Sequence, residues 1–124
     1  MILVDSSIWI DHLRRMDAEL AALLASRVVM CHPFVVGELA CGYLPQRDAV
    51  FLALSRLPPA PVVGHDEVLA FVNRHALAGR GIGWVDAHLL ASATVAGRVS
   101  LWSRDRRLAA AAAELGVAYS RASR

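Results

Sequence analysis

Four acidic residues lack the surroundings that ordinary surface carboxylates have. Glu38 and Asp86 lie within predicted helices, and no basic residue shares their face at helical spacing. Asp5 and Asp105 each follow a short apolar segment and precede a predicted helix. A carboxylate that is buried without a partner is costly in free energy or takes up a proton. We therefore treat these four acids as candidate ligands of a cation.

The four acids together suit one kind of chemistry. Carboxylates gathered in one cleft repel one another and have raised pKa values unless a cation neutralises them. A site with only oxygen donors selects Mg²⁺ or Mn²⁺ over zinc or copper. Such an ion can lower the pKa of a bound water, orient it towards phosphorus and stabilise the leaving oxygen. The acids therefore indicate metal-assisted hydrolysis of a phosphate ester.

Each of these acids also has a structural alternative. Asp5 and Asp105 could simply cap the helices that follow them, and Asp86 lies in a first helical turn, where the helix dipole favours an acid. Glu38 could be a solvated side chain. The other seven acids have ordinary helical or surface positions and are set aside: Asp11, Asp17, Glu19, Asp48, Asp66, Glu67 and Glu114.

Short apolar segments alternate with helical patterns along the whole chain. Strands are predicted at 2–4, 28–31, 62–63, 99–102 and 117–119, and the prolines of 58–61 predict a loop. Helices are predicted at 7–15, 18–25, 33–43, 46–57, 65–77, 84–96 and 106–115. This order predicts an α/β fold, a three-layer α/β/α sandwich with a mostly parallel central sheet. Ligands of such folds gather at the carboxyl ends of the strands, where Asp5 and Asp105 would lie.

Size and composition favour one domain over residues 1–124. The chain is 56% hydrophobic, yet its longest apolar runs fall far short of a membrane span. The N-terminal residues do not resemble a secretory signal, so we expect a soluble cytoplasmic protein. Cys31 and Cys41 lack zinc-ligand spacing and are expected to be buried free thiols. The five histidines form no pair with metal-ligand spacing.

The basic residues give a weaker signal. The formal net charge is only +2, but all 13 basic residues are arginine, which suits bidentate contacts to phosphate. A compositional bias explains the same observation. Arg104, Arg106 and Arg107 lie beside Asp105 and are candidate nucleic-acid contacts, with a solvated helix start as the alternative.

Four short motifs, taken in order, resemble those of the PIN-domain family. Specifically, the chain is similar to the VapC-type ribonuclease toxins of bacterial toxin–antitoxin pairs, over essentially its whole length. Each motif alone is weak, but the ordered set is specific. The motifs are Val-Asp-Ser-Ser at 4–7, Val-Gly-Glu-Leu at 36–39, Asp-Ala-His-Leu-Leu-Ala at 86–91 and Ser-Arg-Asp at 103–105.

The resemblance implies a function and a set of roles. It implies that Asp5, Glu38, Asp86 and Asp105 coordinate Mg²⁺ or Mn²⁺, and that the hydroxyls of Ser6 and Ser103 lie beside the metal. The family often has threonine where this chain has Ser103. It also implies hydrolysis of single-stranded RNA or exposed RNA loops, a homodimer, and a cognate VapB-like antitoxin that blocks the cleft.

Other functions fit the sequence less well. A receiver-like phosphoacceptor domain shares the predicted sheet and acid cluster, but it uses a lysine and this chain has none. A haloacid-dehalogenase-type phosphatase has an Asp-x-Asp strand end, which is absent at 5–7. A catalytically inactive PIN-like domain that binds RNA or protein remains the alternative, because intact ligands do not prove turnover.

Overall fold

A computed structural model describes residues 1–121 and contains a small parallel β-sheet at its centre. The middle strand β1 (Ile2–Val4) pairs with β2 (Val29–Met30) on one side and β3 (Ser100–Trp102) on the other. Leu3 is opposite Met30 in one pair and Leu101 in the other. All pairs are parallel, so the carboxyl ends of the three strands lie at one edge.

A single bridge extends the sheet beyond each outer strand. Leu101 pairs with Ala118, and Cys31 pairs with Pro59. Pro59 is tolerated there because its neighbours make the hydrogen bonds: the Cys31 N–H donates to the Pro58 carbonyl, and the Ala60 N–H donates to the Cys31 carbonyl. No strand forms at 62–63, so that prediction was wrong. The bridge to Cys31 lies instead at Pro59, within the segment predicted as a loop.

Seven helices surround the sheet within residues 1–121, in the predicted order. This arrangement confirms the three-layer α/β/α fold. The helices are α1 (Ser6–Arg14), α2 (Ala18–Ala25), α3 (Pro33–Ala40), α4 (Arg47–Ser55), α5 (His65–Arg74), α6 (Trp84–Ala96) and α7 (Arg106–Glu114).

Local sequence explains where the helices that carry the acids begin. Pro33 occupies the first turn of α3, and the His32 imidazole caps it by accepting a hydrogen bond from the Phe34 N–H at 2.9 Å. Helix α6 begins after Gly83, and its residues 87–93 are all buried. A helix that is buried on all sides is held firmly in the fold. Asp86 therefore projects from a firmly held helix, and Glu38 from a helix that Val35 and Leu39 anchor to the core.

The two cysteines differ in their surroundings. Cys31 is buried as predicted, but Cys41 is exposed, so that prediction was wrong. Cys41 lies one turn after Gly37, which is on the exposed side of α3, whereas Val35 and Leu39 form the buried side. Within residues 1–121, no helix is long and apolar enough to cross a membrane.

The central strand provides a direct test of the core. Leu3 has no exposed surface, so Leu3→Ala should lower the free energy of unfolding by about 2–5 kcal/mol through lost burial and a cavity. Leu52→Ala, at a leucine that is 54% exposed, is the matched control and should change it by less than about 0.5 kcal/mol. Urea unfolding measures both, and equal losses would contradict the assignment of β1 to the core.

Candidate active site

The carboxyl edge of the sheet brings two of the four acids together. Asp5 directly follows β1, and Asp105 comes three residues after the end of β3. The Asp5 N–H donates to the Trp102 carbonyl at 2.9 Å, which ties the two strand ends to each other. Asp5 is only 4% exposed, unlike most aspartates. The parallel sheet thus places a buried carboxylate at the centre of this edge.

Two serine hydroxyls hold one oxygen of Asp5. Ser7 donates to Oδ2 at 2.8 Å, and Ser103 donates to the same oxygen at 2.7 Å. Both hydroxyls also accept backbone hydrogen bonds, Ser7 from the Arg104 N–H and Ser103 from the Asp105 N–H. The hydroxyl protons are thereby directed at Asp5. These contacts fix the carboxylate through Oδ2.

A third hydroxyl connects Asp5 to α3. Ser6 Oγ lies 3.1 Å from Glu38 Oε1 and 3.4 Å from Asp5 Oδ1. Because one hydroxyl has one proton, Ser6 cannot satisfy both carboxylates at once. Glu38 is otherwise exposed, as the solvated alternative requires. The two acids thus lie one hydroxyl apart with no basic residue pairing with either within residues 1–121.

The other two aspartates act as helix caps. Asp105 Oδ1 accepts hydrogen bonds from the Arg107 and Leu108 N–H groups, at 2.9 and 3.2 Å. Asp86 Oδ2 accepts one from the Gly83 N–H at 3.1 Å. The capping alternatives are therefore real features of the structure. Each cap uses one carboxylate oxygen, and the other accepts no hydrogen bond from residues 1–121.

The electrostatics of the site show that the acids are close. Glu38 is exposed as a residue, but partial desolvation of its carboxylate raises its pKa, an effect opposed by the Ser6 hydrogen bond and increased by the charges of Asp5 and Asp86. Burial also raises the pKa of Asp86, opposed by the Gly83 N–H and increased by Asp5 and Asp105. These mutual effects connect all four acids. The site therefore has a negative potential that favours a cation.

The residues fit a Mg²⁺ or Mn²⁺ ion through donor chemistry. Within residues 1–121, no three acidic, histidine or cysteine side chains are already placed to hold a metal. Mg²⁺ does not need such a cage, because it keeps several waters and binds proteins through one or two carboxylates. Glu38, Asp86 and Asp105 each have one oxygen that accepts no hydrogen bond from residues 1–121, and Asp5 Oδ1 has only the Ser6 hydroxyl that it shares with Glu38, so all four acids can provide the hard donors that it prefers.

The three candidate arginines differ in their contacts. Arg104 pairs with Asp11 at 2.7 Å and with Asp17, and its guanidinium lies 5.8 Å from the Trp102 ring. The hydrogen bond from the Leu20 N–H, and then Arg104, lower the pKa of Asp17 against the effect of burial. Arg104 thus connects the loop after β3 to α1 and α2.

Arg106 and Arg107 form no ion pair with residues 1–121. The Arg107 side chain lies across Gly81, where an added Cβ would come within 2.7 Å of Arg107 Cδ. Gly81 also has a φ of +76°, which disfavours other residues. This glycine therefore leaves room for Arg107 beside the start of α6, which carries Asp86.

Sequence reasoning missed Ser7. Ser6 and Ser103 were singled out by the family resemblance, yet Ser7 contacts Asp5 more closely than Ser6 does. The signal was present, because a serine two residues after an aspartate at a strand-to-helix turn can reach back to that carboxylate. Ser7 belongs to the candidate site together with the two predicted hydroxyls.

Comparison with known proteins identifies the family. The family model described as PIN domain matches residues 2–114. The chain is 55% identical over 120 residues to Ribonuclease VapC32 of Mycobacterium tuberculosis strain CDC 1551 / Oshkosh, covering 97% of each chain, and equally to that of strain ATCC 25618 / H37Rv. The resemblance found in the four motifs is thereby confirmed. The chain belongs to the PIN-domain family, among its VapC-type ribonucleases.

Proposed function

We propose that the protein is a metal-dependent endoribonuclease that acts as the toxin of a toxin–antitoxin pair. The observation that carries this proposal is the carboxyl edge of the sheet, where Glu38, Asp86 and Asp105 each keep one carboxylate oxygen free of hydrogen bonds from residues 1–121, and Asp5 Oδ1 has only the Ser6 hydroxyl that it shares with Glu38. The 55% identity to a protein named a ribonuclease supports the same activity. No observation favours the inactive alternative.

We assign the metal site to Asp5, Glu38, Asp86 and Asp105, and the ion to Mg²⁺ or Mn²⁺. When bound, a divalent ion activates water and stabilises the charge that develops on a phosphate undergoing hydrolysis. Ser7 and Ser103 orient Asp5 through Oδ2, which leaves Oδ1 with only the hydroxyl of Ser6. Ser6 lies between Asp5 and Glu38 and can donate to whichever oxygen the ligand leaves free.

The arginines have separate roles in this proposal. Arg106 and Arg107 have no acidic partner within residues 1–121, so their guanidinium groups are available to the RNA backbone. Arg107 is the better placed, because it lies over Gly81 beside the helix of Asp86. Arg104 was also a candidate RNA contact, but its two aspartate partners favour a positioning role.

We further propose that a VapB-like antitoxin covers the site. A groove of about 470 Å³ adjoins Glu38 and is largely apolar, with Ile10, Leu39 and Tyr43 among its lining residues. Tyr43 is 94% exposed, which is unusual for an aromatic side chain. A segment bound there would block access to Glu38.

Two further proposals concern assembly and location. Exposed apolar residues such as Leu69 and Val95 support a homodimer. An RNA substrate supports a cytoplasmic location for the protein.

Removal of one ligand tests the activity. Asp5→Asn keeps the shape of the side chain but removes its charge, so metal-dependent cleavage of single-stranded RNA should fall to background. Asp48→Asn, at an exposed acid on α4, is the control and should retain full activity. Chelator should stop cleavage by the parent, and Mg²⁺ or Mn²⁺ should restore it. Cleavage by Asp5→Asn that equals the parent's would contradict the assignment.

The hydroxyl network gives a second test. Ser7→Ala removes one of two strong hydrogen bonds to Asp5 Oδ2 and should lower kcat/KM by about 10- to 100-fold, as the loss of ligand-orienting groups does. Ser7→Thr retains the hydroxyl and should restore much of the activity. The metal concentration for half-maximal activity should rise in Ser7→Ala. An unchanged metal requirement would show that Ser7 does not orient a ligand.

Glu38 provides a thermodynamic test. The pKa of Glu38 is raised in the folded metal-free protein from its ordinary value of 4.5. Above pH 4.5 ionisation of this carboxylate therefore lowers the free energy of unfolding, and below pH 4.5 it does not. Glu38→Gln should therefore make the apo protein at least as stable as the parent at neutral pH. The advantage should grow as pH rises through the raised pKa and then stay constant. Thermal melts across pH measure it, with Glu67→Gln as control.

The same melts test metal binding. An ion that binds only the folded state stabilises it by about 2.7 kcal/mol at 100 times its dissociation constant. Mn²⁺ should stabilise Glu38→Gln clearly less than the parent at the same concentration. Equal stabilisation of the two proteins by Mn²⁺ would show that Glu38 is not a metal ligand.

A further inference from the structure

Aromatic rings form a continuous row beside the acidic site. His65 lies 5.0 Å from Trp84, Trp84 lies 4.7 Å from His88, and His88 lies 4.6 Å from Phe34, measured between ring centroids. Phe34 is one turn before Glu38 on α3 and shares its face. We call these four residues the aromatic row. It leads from the acidic site to the starts of α5 and α6.

The outer end of the aromatic row is exposed. Trp84 is 40% exposed although it is among the largest apolar side chains in the protein, and His65 beside it is exposed as well. Trp84 is the first residue of α6 and Asp86 is the third. Their Cα atoms are about 5.4 Å apart by helix geometry. The Asp86 carboxylate accepts a hydrogen bond from the N–H of Gly83, the residue before Trp84, so the indole and this proposed metal ligand lie at the same end of α6, on different sides of the helix.

The inner end of the row is buried and uncharged. His88 is 3% exposed and packs 6.5 Å from His32, which has no exposed surface. Burial, and then the neighbouring His88, lower the pKa of His32 to about 4, so it is neutral at physiological pH. The rings beneath Trp84 therefore support it by packing. Its exposed surface presents an aromatic contact rather than a cation.

A positive charge lies against the loop that precedes α6. Arg107 lies across Gly81, three residues before Trp84, and forms no ion pair with residues 1–121. Asp86 follows Trp84 by two residues in the first turn of α6. A free guanidinium suits a phosphate, and an exposed indole suits the flat face of a base. A single strand of nucleic acid offers both a phosphate for the guanidinium and a base for the indole.

We propose that Trp84, flanked by His65, is a stacking site for an unpaired RNA base next to the phosphate that is cleaved. The inference rests on the ribonuclease function proposed above and adds a means of binding single-stranded substrate. Single-stranded RNA offers bases that can turn outward onto aromatic side chains, whereas paired bases are hidden in the helix. The site accordingly selects unpaired RNA.

Binding of short RNA homopolymers tests the stacking site without cleavage. The full chain is titrated, in chelator, with labelled single strands of adenosine and of uridine. Trp84→Ala should weaken binding by about 5- to 150-fold, which is the range for the loss of one base–aromatic stack. Because adenine stacks more strongly than uracil, the parent should prefer adenosine and Trp84→Ala should lose that preference. Trp84→Phe keeps an aromatic ring and should restore most of the affinity and most of the preference for adenosine.

Two further variants separate stacking from other causes. Arg107→Ala should weaken both homopolymers equally and reduce the salt dependence, as loss of a phosphate contact does. Met16→Ala, at another exposed apolar residue, should change neither the affinity for the homopolymers nor its salt dependence. Tryptophan fluorescence of the parent should be quenched by RNA, and the quenching should be largely lost in Trp84→Phe.

The outcomes distinguish this proposal from the proposed function. Metal-dependent cleavage with unchanged RNA affinity and quenching in Trp84→Ala would overturn the stacking site and leave the ribonuclease intact. A change in oligomeric state without a change in RNA binding would identify Trp84 as a protein contact and overturn it too. A parent protein that neither binds nor cleaves RNA would overturn both.

Discussion

The buried carboxylate of Asp5 is the constraint on which the rest of the site depends. It lies at the carboxyl end of the central strand, 4% exposed, with no basic residue to pair with it among residues 1–121. Ser7 and Ser103 compensate for its burial through two hydrogen bonds to one oxygen. Since these serines come from α1 and from the loop after β3, the orientation of Asp5 depends on the sheet being correctly assembled.

In the other two aspartates, the two carboxylate oxygens have different roles. Asp86 and Asp105 each cap a helix with one oxygen and leave the other unengaged by residues 1–121. A cap and a metal ligand are therefore not competing explanations for these residues. The cap fixes the carboxylate and contributes to stability, while the second oxygen stays available. The arrangement still leaves Glu38 and Asp86 with raised pKa values, through desolvation first and then the charges of the neighbouring acids, and a cation would relieve both costs.

Much of the architecture was predictable because its signals are local. The apolar segments at 2–4 and 99–102, the proline that begins α3 and the glycine after α6 mark strands and helix ends through short-range chemistry. The four acids were likewise recognisable by what their neighbours lack. Edge strands were less predictable: the bridge at Pro59 depends on carbonyl and N–H groups of flanking residues, which a hydrophobic pattern does not reveal.

The sequence by itself determined the residue types, the order of strands and helices, and therefore which acids follow strands. Only the tertiary structure decided which partners these side chains find. Arg104, a candidate for RNA from its position in the sequence, pairs instead with Asp11 and Asp17, two acids that had no evident role. Ser103 reaches Asp5 from the loop after β3, and Trp84 meets His65 from another helix. Such contacts join residues far apart in the chain, so they are set by how the helices pack on the sheet rather than by sequence spacing.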